Sequence, residues 1–320
     1  MRRGIESRFG KSSTGDEVIA GHDLHGTLAV VTGAGGIGRE TALAFARMGA
    51  DIILGSRRDD ELAEAKSEIA RAAPGVSVYT ARVDLSEPRS IVAFADTVTD
   101  LGRPVGLLIN NAGVAGCPLA YNSLGVERHI ATNFLGHALL STLLVPALRK
   151  GGQARIVCLT SSAHQFTPVI LDDLSFRRRP YDKFLAYAQS KTACVLHAIY
   201  LGASLLPYGI TVHAVHPGVV QTDIIRHLTD EDREMLASLQ ATLYVKTIAE
   251  GAATTVWAAV EPQLGGVEPL YLEDCGVAPV LDLPADTDYG YGVLRHALDR
   301  DAAKRLWLTA EKLLGRSLLL

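Results

Sequence analysis

Leu28-Ala29-Val30-Val31-Thr32-Gly33-Ala34-Gly35-Gly36-Ile37-Gly38 is the stretch on which the fold turns. A short aliphatic run ends at Thr32, glycines crowd the positions after it, and Glu40 to Met48 follows with apolar residues at helical spacing. Gly33, Gly35 and Gly38 satisfy G-x-G-x-x-G between a strand and a helix. In that setting one glycine turns the chain, one lets a pyrophosphate reach the backbone, and one lets helix pack on strand. The helix N-terminus adds amide donors and the positive end of a dipole. A tight turn without a ligand is the plainer alternative, and the rest of the chain weighs against it. Gly33, Gly35, Gly36, Ile37 and Gly38 are therefore expected to hold a dinucleotide.

Outward from this unit the same rhythm repeats. Apolar runs open at Leu28, Asp51, Val76, Gly106, Arg155 and Ile210, with a late one at Pro269 to Leu272. Helical patterns lie between them at Glu40–Met48, Asp60–Ala72, Glu87–Leu101, Gly125–Leu148 and Lys183–Leu206, and an amphipathic one closes the chain at Asp299–Leu314. Alternation of this kind predicts an α/β fold, a doubly wound parallel sheet with helices on both faces. A single domain over 27–320 is expected, with 1–26 as an N-terminal extension. Two stretches break the rhythm, 165–182 and 226–244; they follow strands five and six, where ligands of open α/β sheets bind, so they are candidate pocket walls. By position, the helix expected within Leu228–Leu243 could close over such a pocket.

Composition narrows the function. The 320 residues carry 31 basic and 35 acidic side chains, a net charge of −4, with no basic stripe for nucleic acid. Cys117, Cys158, Cys194 and Cys275 lie far apart, which speaks against a disulfide framework or a structural metal site and for a cytoplasmic setting. His213 and His216, three apart near a strand end, point to opposite faces and make poor metal ligands. Near the start, Lys11 to Glu17 is polar where a secretory signal would be apolar. The segment His129–Leu148 lacks charges, but Asn133, His137 and Pro146 mark it as a core helix and not a membrane span.

Two further clusters carry chemistry. At the end of strand two stands Gly55-Ser56-Arg57-Arg58; arginine grips a 2′-phosphate bidentately, which favours NADP(H) over NAD(H). A solvated turn, with Asp59 and Asp60 opening the next helix, is the alternative. Tyr187 and Lys191 stand four apart on one predicted helix face, where an ammonium can stabilise a phenolate and make the tyrosine a proton donor near neutral pH. Ser161, at the end of strand five, could hold a carbonyl beside it.

These motifs together resemble the short-chain dehydrogenase/reductases over almost the whole chain. The resemblance rests on Thr32–Gly38, Asp84-Leu85, Asn110-Asn111-Ala112-Gly113, Asn133, Ser161, Tyr187, Lys191 and His216-Pro217-Gly218 followed by Thr222. Asn133–His137, Ser161–His164 and Tyr187–Lys191 are most similar to the retinol dehydrogenase and WW-domain oxidoreductase subgroup. Bacterial relatives of that subgroup also resemble Leu270–Asp274 and Gly290–Val293. The resemblance implies a Rossmann fold and assigns roles. Tyr187 is the general acid or base, Lys191 lowers its pKa and holds the nicotinamide ribose, Ser161 orients the carbonyl, and Asn133 supports a water-linked proton path. Asp84 would flank the adenine, Asn110 and Ala112 line the cofactor's ribose, and Thr222 face the nicotinamide carboxamide. Leu85, Gly113, Pro217, Gly218 and Val220 are further candidate cofactor contacts. His164, Gln165 and Tyr181 are candidate substrate contacts, turn hydrogen bonds being the plainer reading of the first two. The family often pairs subunits through helices equivalent to Gly125–Leu148 and Lys183–Leu206, so a homodimer is expected.

The expected activity is NADP(H)-dependent interconversion of a carbonyl and an alcohol on a lipophilic small molecule. One departure stands against the family pattern Thr-Gly-x-x-x-Gly-x-Gly: the loop Thr32–Gly38 is one residue shorter. The alternative it raises is a redox-inactive cyclase, isomerase or small-molecule-binding protein on the same fold.

Overall fold

The computed structural model describes residues 4–240, 243–282 and 290–318. In chain order the elements are α1 (Gly15–Ile19), β1 (Leu28–Thr32), α2 (Gly36–Arg47), β2 (Asp51–Ser56), α3 (Asp59–Ala72), β3 (Val78–Arg82), α4 (Pro88–Thr99) and β4 (Leu107–Asn110). There follow α5 (Gly136–Lys150), β5 (Arg155–Leu159), α6 (Lys183–Leu205), β6 (Thr211–His216), β7 (Val219–Val220), α7 (Asp230–Gln240) and β8 (Val245–Lys246). The last are α8 (Ile248–Val260), β9 (Tyr271–Glu273), β10 (Gly276–Val277), β11 (Val280–Leu281), β12 (Val293–Leu294) and α9 (Arg300–Leu314).

Among the described residues the central sheet runs β3-β2-β1-β4-β5-β6-β9-β10. Its pairs are parallel except the hairpin β9–β10, which adds an antiparallel edge to the parallel sheet expected. The strand order reverses between β1 and β4, where Val31 pairs Leu54 on one side and Ile109 on the other. A reversal leaves a crevice beyond the strand ends, and the glycine loop opens into it. Alternate side chains feed two cores: Leu28, Val30 and Ile156 face α4, α5, α6 and α9, while Ala29, Val31 and Val157 face α1, α2, α3 and α8. Full burial of each aliphatic side chain stabilises by about 1.5–3 kcal/mol, which is why these strands read as unbroken apolar runs.

Four expectations need amendment. The N-terminal segment is more than an extension: a capping box, Thr14 Oγ1 accepting from Glu17 N–H while Thr14 N–H donates to Glu17, starts α1 and buries Val18 and Ile19 against α8. That helix α8 was not anticipated, because Ala252 to Ala259 is buried on every side and shows no polar face to give a helical period. The pattern at Gly125–Leu148 divides: Ile130–Leu135 is a π-helical segment, and only from Gly136 is the helix regular. It is long and apolar enough to cross a membrane yet mostly buried in the core. Finally, the apolar excess of α6 is taken up within the chain, where Trp307 of α9 stacks on His197 at 5.8 Å and Tyr200 at 4.8 Å.

Candidate active site

The shortened glycine loop is locked by the loop that follows β4. Thr32 Oγ1 accepts from the N–H of Asn111 (2.9 Å) and Ala112 (3.1 Å), and Asn111 Nδ2 donates to Thr32 O at 2.7 Å. A Cβ on Gly38 would lie 2.2 Å from Gly33 O, and one on Gly33 2.7 Å from Asn111 Nδ2. Gly33 and Gly36 have φ of +89° and +50°, a region side chains rarely enter. The loop thus needs glycine at these places with one residue fewer, and α2 begins at Gly36 with its amides facing the crevice end of β1. Asn111 was passed over in favour of Asn110, whose buried Nδ2 instead donates to Ser141 Oγ at 2.9 Å and tethers β4 to α5. The signal was present: two consecutive asparagines ending a strand cannot both face the core.

At the end of β2 both arginines have carboxylate neighbours. Arg58 binds Asp60 at 2.7 Å and Glu61 at 2.9 Å, and Arg57 stands 4.0 Å from Asp84. The Asp84 carboxylate accepts from Ser86 N–H (2.9 Å) and Oγ (2.6 Å), which fixes the turn after β3. Leu85 is buried, its carbonyl at the point a Cβ on Gly136 would need.

The reaction centre lies across the crevice. Lys191, only 4% exposed, donates from Nζ to Leu159 O at 3.2 Å and sits 5.7 Å from the Tyr187 ring centroid. A Cβ on Gly113 would come within 3.7 Å of that Nζ and 3.3 Å of Asn133 Oδ1, so this glycine leaves the space in front of both. Asn133 works as a clasp: Oδ1 accepts from Val114 N–H (2.9 Å), and Nδ2 donates to Val114 O (3.0 Å) and Ser190 Oγ (2.8 Å). Its side chain is thus committed within the protein, and its carbonyl accepts from His137 Nδ1 at 3.0 Å. Ser161 caps a short 3-10 turn, its oxygen accepting from Ala163 N–H at 3.2 Å, which leaves the hydroxyl hydrogen to offer a carbonyl. Ser162 is buried toward Gly290. A pair not foreseen backs the tyrosine: buried Glu127 binds His129 Nδ1 at 2.7 Å, and the His129 ring meets Tyr187 edge-on at 6.2 Å. Two polar residues ahead of a charge-free helix were its only mark in the sequence.

The expected substrate contacts also fasten loops to one another. His164 is buried, donates from Nδ1 to Ser161 O (2.9 Å) and accepts from Leu294 N–H (3.2 Å) at Nε2; burial pushes its pKa down to about 4. Gln165 donates to the carbonyls of Tyr291 (2.9 Å) and Gly292 (3.1 Å). Tyr181 donates to Cys117 O at 2.7 Å. Both His164 nitrogens and the Tyr181 hydroxyl are engaged within the protein, whereas Gln165 Oε1 is buried without a partner. On the far side, Thr222 lies 3.6 Å from where a Cβ on Gly36 would sit, and a Cβ on Gly251 would meet Val220 at 2.7 Å and Ile37 at 3.4 Å. Pro217 and Gly218 (φ +90°) carry the chain between β6 and β7, past the buried Lys246, which pairs with Asp274 at 2.6 Å. Near it Glu273 accepts from Gly292 N–H at 2.9 Å, and burial pushes its pKa up to about 7. Lys246 carried no sequence signal, and Glu273 only its place in the segment Leu270–Asp274 that resembles bacterial relatives. The notch left by Gly116 receives Leu228, and Lys183 at the start of α6 pairs with Asp232 of α7, so the segment 226–240 lies against the site. The described part of the expected wall 226–244 is thereby placed; 241–242 lie outside the described residues.

Residues 27–233 match the sequence profile of a family described as short chain dehydrogenase. The chain belongs to the short-chain dehydrogenase family. Among its relatives is a "Probable oxidoreductase" of Streptomyces antibioticus, 40% identical with 89% of this chain and 96% of the relative covered. "Retinol dehydrogenase 12" of Homo sapiens is 36% identical, covering 91% and 87%, and "Polyprenol dehydrogenase" of Mus musculus 37%, covering 91% and 84%. The crystal structure of an uncharacterized protein from Mycobacterium Paratuberculosis superposes with a TM-score of 0.72 at 29% identity, over 97% of this chain and all of that one. This short-chain dehydrogenase is thus an oxidoreductase of carbonyl and alcohol groups, similar to the retinol dehydrogenase subgroup, and its family uses NAD(P)(H). The residues fit such a cofactor: a cradle that Cβ atoms would fill at Gly33, Gly36 and Gly113 faces the helix α2 start, with Lys191 at one end and Ser56 to Arg58 at the other.

Proposed function

We propose that the protein is an NADP(H)-dependent oxidoreductase that interconverts a carbonyl and an alcohol on a lipophilic small molecule, with Tyr187 as its general acid and base. The observation that carries this reading is the buried Lys191 ammonium beside the Tyr187 ring, 5.7 Å from its centroid. In this reading the Lys191 cation stands beside the group that gives and takes the proton. In reduction Tyr187 gives that proton to the carbonyl oxygen; in oxidation it takes it back. Ser161 donates its hydroxyl hydrogen to the same oxygen. Asn133 keeps Lys191 and the loop at Val114 in register. Gly33, Gly35, Gly36, Ile37, Gly38, Ala112, Gly113, Thr222, Arg57 and Arg58 would hold the cofactor, which when bound supplies or accepts the hydride.

A lipophilic substrate accords with the apolar side chains exposed along the walls, Phe166 just beyond the Ser161 turn, Tyr291 on the segment Gln165 holds, and Met235 on α7. Relatives named for retinol and polyprenol act in the same direction. Four free, buried cysteines accord with a reducing, cytoplasmic setting.

Calorimetric titration with NADPH and with NADH tests the reading. Binding of NADPH, followed by loss of turnover of about 100- to 10,000-fold in Tyr187→Phe with NADPH binding retained, is expected. Absence of binding by either nucleotide would overturn it in favour of a non-redox role.

A further inference from the structure

The Glu61 carboxylate lies between the glycine loop and the end of β2. Glu61 projects from the first turn of α3 back over the glycine loop, its Oε1 at 3.4 Å from the position a Cβ on Gly35 would take. Its Oε2 accepts from Ser56 Oγ at 3.2 Å, at the end of β2, and its Oε1 binds Arg58 Nη1 at 2.9 Å. One side chain therefore bridges the loop after β1 and the end of β2, the two segments between which doubly wound sheets seat a ribose. Asp60 also binds Arg58, but it is turned outward, with 70% of its side chain exposed against 25% for Glu61.

We infer that Glu61 is a cofactor-discriminating residue: it holds Arg58 and sets a negative charge against a 2′-phosphate, so that the preference for NADP(H) over NAD(H) is smaller than two consecutive arginines suggest. A 2′-phosphate carries between one and two negative charges at neutral pH and needs an arginine fork to itself. Here the Arg58 fork is shared by two carboxylates, and Glu61 must leave it, or stay and repel the phosphate. A ribose carrying only hydroxyls meets no such cost, since a carboxylate accepts their hydrogen bonds. This inference rests on the dinucleotide reading above and refines it.

The test compares NADPH and NADH binding to the purified protein, read by calorimetry and by the fluorescence of the reduced nicotinamide, for the wild type, Glu61→Gln and Asp60→Asn. Glutamine keeps the length of the side chain and the bond from Ser56 while removing the charge. The expected result is a gain in NADPH affinity of about tenfold or more in Glu61→Gln, with NADH affinity unchanged or reduced, and a smaller gain in Asp60→Asn. The difference should shrink at high salt, as a charge effect at a partly exposed site must. Equal changes for both nucleotides in Glu61→Gln, or an effect matched by Asp60→Asn, would overturn the inference while the dinucleotide reading stands. Failure of the wild type and both variants to bind either nucleotide would overturn the reading and the inference together.

Discussion

Glu273 is the residue whose ionisation is most exposed to experiment. It is 5% exposed, accepts from Gly292 N–H at 2.9 and 3.2 Å, and has its pKa pushed by burial up to about 7. Its folded value lies above its unfolded one, so the native state holds the proton longer: the stabilisation is complete below about pH 4.5 and is lost as pH rises through 7. Glu273→Gln keeps an oxygen for Gly292 and removes the buried charge. The variant should be more stable than the wild type by roughly 1–3 kcal/mol at pH 8.5 and little different at pH 4.5. Urea denaturation at the two values checks this; an equal effect at both would show that ionisation is not what matters. The nearness of Tyr187 and Lys191 was legible in the sequence, because a spacing of four puts two groups on one helix face. The partners of His164 and Gln165 in the segment Tyr291–Leu294 were not, because a partner more than a hundred residues away leaves no mark near a side chain.

At the scale of elements the segment around α7 lies against the start of α6. It is held at two points, Leu228 in the notch of Gly116 and Asp232 on Lys183. The pairing with Lys183 lowers the Asp232 pKa to about 2, so the latch stays charged at any ordinary pH. A partly exposed ion pair contributes below about 1 kcal/mol to global stability, yet it can hold a segment that opens locally. Lys183→Ala should leave the melting temperature nearly unchanged and accelerate tryptic cleavage at Arg226 and Arg233 severalfold. An unchanged cleavage rate would show that Leu228 alone holds the segment. The sequence marked this stretch as an interruption after strand six, but its direction of packing depends on a glycine more than a hundred positions away. The insertion 165–182 behaves alike: Asp173 gathers the N–H groups of Arg177 (2.7 Å), Arg178 (3.2 Å) and Arg179 (3.2 Å), folding that basic run into a turn.

The molecule as a whole carries an unusual load of buried imidazoles. Burial pushes His137, His164 and His213 down to about 4, and His197 and His216 to about 3. Here the folded values lie below the unfolded one near 6.5, so their contribution is present above 6.5 and lost as pH falls toward 4. Glu273, between about 4.5 and 7, and His129, held up to about 9 by its bonds to Cys117 and Glu127, act in the opposite sense, but two groups oppose five. Each group changes stability by about 1.4 kcal/mol per pH unit where it titrates, so the melting temperature should fall by roughly 10 °C or more between pH 7 and pH 5. Scanning calorimetry at both values decides it; an equal or higher melting temperature at pH 5 would contradict the assignment of these histidines as neutral core groups.

The sequence by itself determined the α/β class, the alternation of strands and helices, the glycine loop with its missing residue, and the pairing of Tyr187 with Lys191. All of these are written in local order: a period of two or 3.6, a glycine at a positive φ, two groups four apart on a helix. The tertiary structure alone decided that α9 covers α6, that α1 and α8 belong to the core, and that Asn111 stitches the two crevice loops. It also set Glu61 over the nucleotide loop and Glu273 beneath the C-terminal segment. Those arrangements join positions tens to hundreds of residues apart. Their energies come from removing apolar area from water and from satisfying polar groups that only the closed fold brings within bonding distance.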